Sequence, residues 1–254
     1  SPGVQTCALG DAYLAILTRD QPSRRLKLGL PIEKLPDASF EGAEADSREA
    51  AALLKRLDPV KPAELTHEES LSLDVLRRQL GLRVRGPSLF WFQFQVTPYT
   101  SPLSEAGQIF SAMPLASEAD RARYLARLSE VPKLADTIVA NLKTQAGKGI
   151  RVPKPELVQS NALLAAFSAR GEGSPFRPQS ARLKGVSEAD RATFLKAVDA
   201  AIEAGAAPAI ARVSAAIGGD YAAQAPDAVG LGQYPGGPVA YRELVKLHTT
   251  MEIT

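Results

Sequence analysis

The side chains best placed to do chemistry lie near the C-terminal end of the sequence. Tyr234 sits in the glycine- and proline-rich turn Gly230-Leu231-Gly232-Gln233-Tyr234-Pro235-Gly236-Gly237, and Tyr241 and His248 sit in the amphipathic stretch that the turn launches. Tyr241 and His248 are seven residues apart, so on a helix they share one face, two turns apart. Phenols and an imidazole lining a cleft bind substrate or donate hydrogen bonds to a transition-state oxyanion. The same spacing fits a second reading, in which Tyr241, Leu244, Val245 and His248 form the buried face of a helix. The residues alone leave both open.

Other chemistries find less support. The sequence holds two histidines, His67 and His248. His67-Glu68 begins like the zinc motif His-Glu-x-x-His, but the fifth position is Leu71. His67 instead falls in Thr66-His67-Glu68-Glu69, a capping box that starts a helix. Gly230, Gly232 and Gly236 imitate a dinucleotide fingerprint with the third glycine one place late and Pro235 intruding. A turn whose glycines take positive φ is the better expectation. No Gly-x-Ser-x-Gly elbow is present, and no pattern singles out a pair among the 28 acidic residues. No metal ligand set is expected from this chain.

The elements that must position these groups read as helices. Apolar residues recur at helical spacing in 11–19, 45–57 and in the segment opened by Thr66, which is expected to end at Gly81. Ser117-Glu118-Ala119-Asp120 caps a sustained stripe: Tyr124, Leu128, Val131, Ala135, Ile138 and Leu142. Pro132 lies inside that stripe and should kink it or split it in two. A further helix is expected over 156–169. Ser187-Glu188-Ala189-Asp190 opens another, kinked at Pro208 and ended by Gly218-Gly219. Residues 29–42 and 171–186 read as loops. Phe92, Phe94 and Val96 alternate with Gln93 and Gln95, which predicts a strand within 89–96. The expected fold is mostly α: a multi-helix array with kinked helices and at most one or two short strands.

Bulk properties narrow the function classes. The chain of 254 residues is 45% hydrophobic and 23% charged, with a formal net charge of +2. That balance gives no electrostatic reason to bind nucleic acid. No apolar run approaches the roughly 18 residues of a membrane span. Cys7 is the only cysteine, so neither a disulfide framework nor a thiolate metal site is expected.

Both ends invite comment. Gly3-Val4-Gln5-Thr6-Cys7-Ala8-Leu9 is what a common sequencing-adapter oligonucleotide encodes in one frame, so residues 1–10 are read as a non-native tail. The segment after Gly237 meets no glycine, proline or basic cap after Leu247. Residues 11–254 are therefore expected to be the front part of a longer protein.

Several motifs, in order along the chain, carry a resemblance. They are Leu35-Pro36-Asp37-Ala38-Ser39; Tyr124-Leu125-Ala126-Arg127-Leu128 with Pro132; Gly147-Lys148-Gly149 with Arg151-Val152-Pro153; Ala207-Pro208-Ala209; and the Gly230–Gly237 turn followed by Tyr241-Arg242 and His248-Thr249-Thr250. Together they resemble the bacterial domain-of-unknown-function-885 family over most of residues 11–254. That family is similar to helical metallopeptidases with a gluzincin-type zinc motif. Its members run to about twice this length, and many are exported or lipid-anchored. The resemblance implies a periplasmic, exported or anchored protein, with the cytoplasm still open. It also implies that zinc ligands and a catalytic Glu lie in the family's C-terminal half, where no position of this chain matches. The chain is accordingly expected to be the N-terminal part of a zinc-dependent peptidase. It would form one wall of the cleft for a peptide or other small substrate, with Tyr234, Tyr241 and His248 on the substrate side and the missing C-terminal half packed on it. A non-catalytic helical binding or interaction module is the alternative.

Overall fold

The computed structural model describes residues 2–249. In chain order the helices are α1 (Pro2–Asp20), α2 (Pro22–Lys27), α3 (Phe40–Leu57), α4 (His67–Val84), α5 (Gly86–Phe90), α6 (Pro102–Ala112), α7 (Glu118–Leu128), α8 (Val131–Gly147), α9 (Lys154–Phe167), α10 (Glu188–Ala201), α11 (Ala207–Ala216), α12 (Gly219–Ala223) and α13 (Gly237–Thr249). No strand occurs among the described residues, and the fold is mostly α. No helix among them is long and apolar enough to cross a membrane.

The chain divides into two compact units. One comprises 1–20, 39–93 and 236–254, the other 21–38 and 94–235. The chain crosses between them at several points, so no single linker marks a boundary in the sequence.

In the first unit, Leu9 and Ile16 of α1 are buried with Ala50, Leu53 and Leu57 of α3 and Leu73, Leu76 and Leu80 of α4. Residues 2–10 of the stretch read as a non-native tail belong to α1 together with residues 11–20. The helix expected over 45–57 starts earlier, at Phe40, because the Ser39 hydroxyl accepts the Gly42 N–H at 3.0 Å and caps it. The predicted capping box opens α4: Thr66 accepts the Glu69 N–H at 3.3 Å, and Glu69 accepts the Thr66 N–H at 2.8 Å. Helix α4 then runs past Gly81 to Val84. At its end Arg83 pairs with Asp46 and lies over the Tyr13 ring, 5.6 Å from its centroid.

The strand expected in 89–96 does not form. Phe90 ends α5, and turn bonds follow from Phe92 N–H to the Leu89 carbonyl, from Gln93 to Phe90 and from Thr97 to Phe94. The alternation is deceptive because Gln95, polar and expected outside, is buried. Phe90 and Trp91 pack on Phe40, with centroids 5.3 and 5.1 Å away, while Val96 is buried in the second unit's core. These side chains serve separate clusters and do not line one pleated face.

In the second unit the apolar stripe is buried as predicted, from Tyr124 to Leu142. Pro132 splits it. Helix α7 ends at Leu128, and α8 begins at Val131 with the proline in its first turn, where a missing N–H breaks no helical bond. Pro208 acts differently. The turn before it, Ile202–Ala206, widens to a π-helix, and Ala207 donates to the Ile202 carbonyl five residues back. The bulge accommodates a ring that would otherwise strike the preceding turn. The 171–186 loop contributes Phe176 and Leu183 to the core. Phe176 lies 5.3 Å from the Phe110 ring and 5.5 Å from Phe167, and its carbonyl accepts the buried Tyr124 hydroxyl at 2.9 Å.

A closed polar network ties 35–38 to this core. The Asn141 amide donates to the Ala38 carbonyl at 2.7 Å and to the Gln95 side-chain carbonyl at 2.9 Å; Gln95 donates to the same Ala38 oxygen at 3.0 Å. The Leu35 N–H meets the Glu130 carboxylate at 2.9 Å.

Candidate functional site

Two of the motif-bearing turns meet within the second unit. Helix α8 ends in a Schellman turn: Gly149, at φ +76°, donates to Ala146, and Ile150 donates to Gln145. The reversal aims Arg151 and Val152 at the 221–234 segment. There the Tyr221 hydroxyl accepts the Val152 N–H at 2.9 Å, and the Tyr234 hydroxyl donates to the Arg151 carbonyl. The Gly230–Gly237 turn has the expected left-handed glycines, Gly230 at φ +95° and Gly236 at φ +74°. Gln233 stiffens it by donating to the Ala228 and Gly230 carbonyls at 2.8 and 3.0 Å.

The electrostatics of this corner favour neutral phenols. Burial, reinforced by nearby Tyr221, pushes the Tyr234 phenol up to about 12; burial also raises Tyr221. At neutral pH both are hydrogen-bonding groups and not bases. Tyr234 is 5% exposed, and its proton is committed to the backbone. Arg151 donates from Nη2 to Gln224 at 2.8 Å, while its buried Nε has no partner among the described residues. Tyr221 was not singled out from the sequence, and Arg151 was named there only within the Arg151-Val152-Pro153 motif, with no role in a site. Their partners lie about seventy residues away along the chain, and no local pattern announces them.

Tyr241 and His248 fall in the first unit, on α13. Tyr241 is 58% exposed and His248 is exposed, so they do not form the buried face of their helix; that face carries Ala240. Arg78 donates to the Lys246 and Leu247 carbonyls at 3.3 and 3.2 Å, and Arg85 pairs with Glu243 at 2.6 Å, fixing α13 within its unit. The three candidates thus divide between the units, Tyr234 in one and Tyr241 with His248 in the other.

The donor set does not suit a metal. His67 is an exposed first-turn residue of α4, and no group of three or more His, Cys, Asp or Glu side chains that could hold an ion occurs among the described residues.

Comparison with known proteins decides the lineage. The profile of a family described as "Bacterial protein of unknown function (DUF885)" matches residues 22–254. The chain belongs to this family. A search of curated proteins finds no match. Among solved structures, one described as a "putative lipoprotein" from Colwellia psychrerythraea superposes with a TM-score of 0.81 at 18% identity. The likeness covers 100% of this chain and 47% of that one, so the chain spans about half the length of this DUF885 member's structural neighbour. At that identity the likeness concerns the fold.

Proposed function

We propose that this DUF885 chain is the helical front part of a longer hydrolase, a peptidase, and that it supplies a wall of the substrate cleft. The observation that carries the reading is the face of α13. Tyr241 and His248 lie there on one face two turns apart, exposed and with no hydrogen-bond partner among the described residues. Seven residues of helix span about 10 Å. An extended peptide advances roughly 3.3–3.6 Å per residue, so the two groups match points about three residues apart on such a chain. They are too far apart to act on one atom, which suits them to holding a substrate. The full match of this chain to 47% of a longer neighbour supports a parent with room for the remaining machinery. The zinc implied by the resemblance does not fit the residues present, and in this proposal its ligands come from outside residues 1–254.

The test is expression of the whole natural polypeptide beside the 254-residue chain. Metal content and hydrolysis of a quenched peptide library are measured for each. The expected result is stoichiometric zinc and chelator-sensitive cleavage in the long form and neither in the short one. Tyr241→Phe and His248→Gln should each raise KM severalfold and leave zinc content unchanged. A long form with neither metal nor cleavage overturns the proposal.

One observation favours the second reading, a binding module without chemistry. Tyr234, the most buried of the three candidates, already gives its proton to the Arg151 carbonyl. Saturable ligand binding by a long form that cleaves nothing would decide for it.

A further inference from the structure

A cavity of about 370 Å³ opens in the second unit between the end of α2 and the α6–α7 junction. Each wall is held by its own bonds. Helix α2 ends in a Schellman turn at Gly29, φ +67°: Gly29 donates to Leu26 at 3.1 Å, and Leu30 donates to Arg25 at 2.8 Å. Arg25 then donates to the Pro31 carbonyl at 2.7 Å and pairs with Glu33, which folds Leu30 and Pro31 back toward Leu26. Opposite, Arg182 caps α6 by donating to the Phe110 and Met113 carbonyls. Ile32 and Met113, 3% and 2% exposed, form the inner wall. A site fixed in this way is preformed, and a ligand entering it gives up little energy to reorganisation.

The charges at the mouth select the ligand. Asp120 Oδ2 accepts the Ser117 N–H at 3.1 Å and its hydroxyl at 2.6 Å, and Oδ1 accepts Arg123 Nη1 at 2.9 Å. One carboxylate oxygen is engaged in the cap of α7 and the other in the Arg123 pair, so a cationic ligand would have to compete with both. Arg123 uses one of its nitrogens and is 45% exposed. Its remaining donors have no partner among the described residues, and a guanidinium edge is the usual seat of a carboxylate. We infer that the pocket binds a small monocarboxylate with an apolar tail, a medium-chain fatty acid, with its head on Arg123 and its tail against Leu30, Ile32 and Met113. The volume is near the lower end of the roughly 300–1,000 Å³ typical of small-molecule sites, which suits a ligand of about a dozen heavy atoms or fewer. The residues that line the pocket all fall within 26–123, so this inference does not depend on peptidase activity.

The chain has two methionines, Met113 and Met251, so ¹³C-methyl methionine labelling places a reporter inside the pocket, assigned with Met251→Leu. Hexanoate, heptanoate and octanoate are titrated against octanol. The Met113 signal should shift saturably with octanoate, with affinity rising about fourfold per added methylene. Octanol should bind at least tenfold more weakly. Arg123→Gln should weaken octanoate about tenfold and leave octanol unchanged, with the far-UV spectrum intact. Leu30→Asp, on an exposed loop, should weaken both. A Met113 signal that does not move with any acid to 10 mM, octanol binding as tightly as octanoate, or an Arg123→Gln variant that binds octanoate normally would each overturn the inference.

Discussion

The Asn141 network allows a quantitative test of what holds the 35–38 segment in place. Asn141→Ala removes two donated hydrogen bonds, to Ala38 at 2.7 Å and to Gln95 at 2.9 Å. Each contributes about 1 kcal/mol net, and the Gln95 oxygen, in a side chain only 7% exposed, is left a buried acceptor without its donor, which costs a further ~1–3 kcal/mol. The Ala38 carbonyl keeps its bond from Gln95, so the loss should stop there, at about 3–5 kcal/mol. Urea unfolding followed by far-UV circular dichroism measures it. Hydrogen exchange localises it: the Leu35 amide, bonded to Glu130, should exchange roughly 150- to 5,000-fold faster, while amides of α3 and α4 keep their protection. Asn141→Ala combined with Gln95→Ala should cost less than the sum of the two single changes by more than ~0.5 kcal/mol, because the two side chains act as one unit. A stability change under ~0.5 kcal/mol with unaltered Leu35 exchange would refute the assignment.

Two helical glycines should respond in opposite directions to alanine. Gly81 has open space around its missing Cβ, so Gly81→Ala should stabilise by up to about 1 kcal/mol. A Cβ on Gly107 would stand 2.9 Å from the Phe167 ring, itself packed on Phe176, so Gly107→Ala should destabilise by roughly 1–2 kcal/mol despite its better helix propensity; thermal melts that move both variants the same way would contradict this. Burial raises the phenols of Tyr124, Tyr221 and Tyr234, the last to about 12, above the ordinary value near 10. Their contribution is therefore complete below about pH 10 and lost as pH climbs toward 12, and a 295 nm titration should show three of the six tyrosines ionising only with unfolding; six reversible ionisations below pH 11 would exclude it. At the acid end, hydrogen bonds from Thr66 hold the Glu69 carboxyl low, and the Ser117 hydroxyl and N–H do the same for Asp120. Their support of α4 and α7 is present above the ordinary carboxylate range and lost as pH falls through the lowered values, which carboxyl ¹³C titration would show as midpoints below 4.5 and 3.8.

What was legible in the sequence was what short-range chemistry decides. Thr66, Ser117 and Ser187 each cap a helix with the residue three places on, and the interaction is complete within four residues. The 124–142 stripe was readable because a buried helix face repeats its signal several times. Where the deciding partner was distant, reading failed. The Ser39 cap is an exception of another kind: its partner Gly42 is only three residues on, and the glycine read as loop punctuation. Gln95 looked solvent-facing because its partners, Ala38 and Asn141, lie 57 and 46 residues away. The same distance hid Tyr221 and the partner of Arg151. The two-unit organisation was hidden for a related reason: each unit is assembled from separated segments, so the boundary is a set of crossings with no composition of its own.

The same criterion separates scaffold from available chemistry among the candidates. Spacing and residue type grouped Tyr234 with Tyr241 and His248, since each presents a polar tip near a glycine turn. Partners separate them. A phenol that is nearly fully buried, its pKa raised by that burial, and bonded to a backbone carbonyl can release that bond only by leaving the carbonyl unsatisfied. Tyr234 therefore acts first on the geometry of Arg151 and the 230–237 turn. Tyr241 and His248 carry no such obligation among the described residues, and Arg78 and Arg85 hold their helix in place without using either tip. A fixed helix with free polar ends offers a ligand positioned donors at little reorganisation cost. For that reason the functional reading rests on α13, although the glycine turn before it carries the more conspicuous sequence.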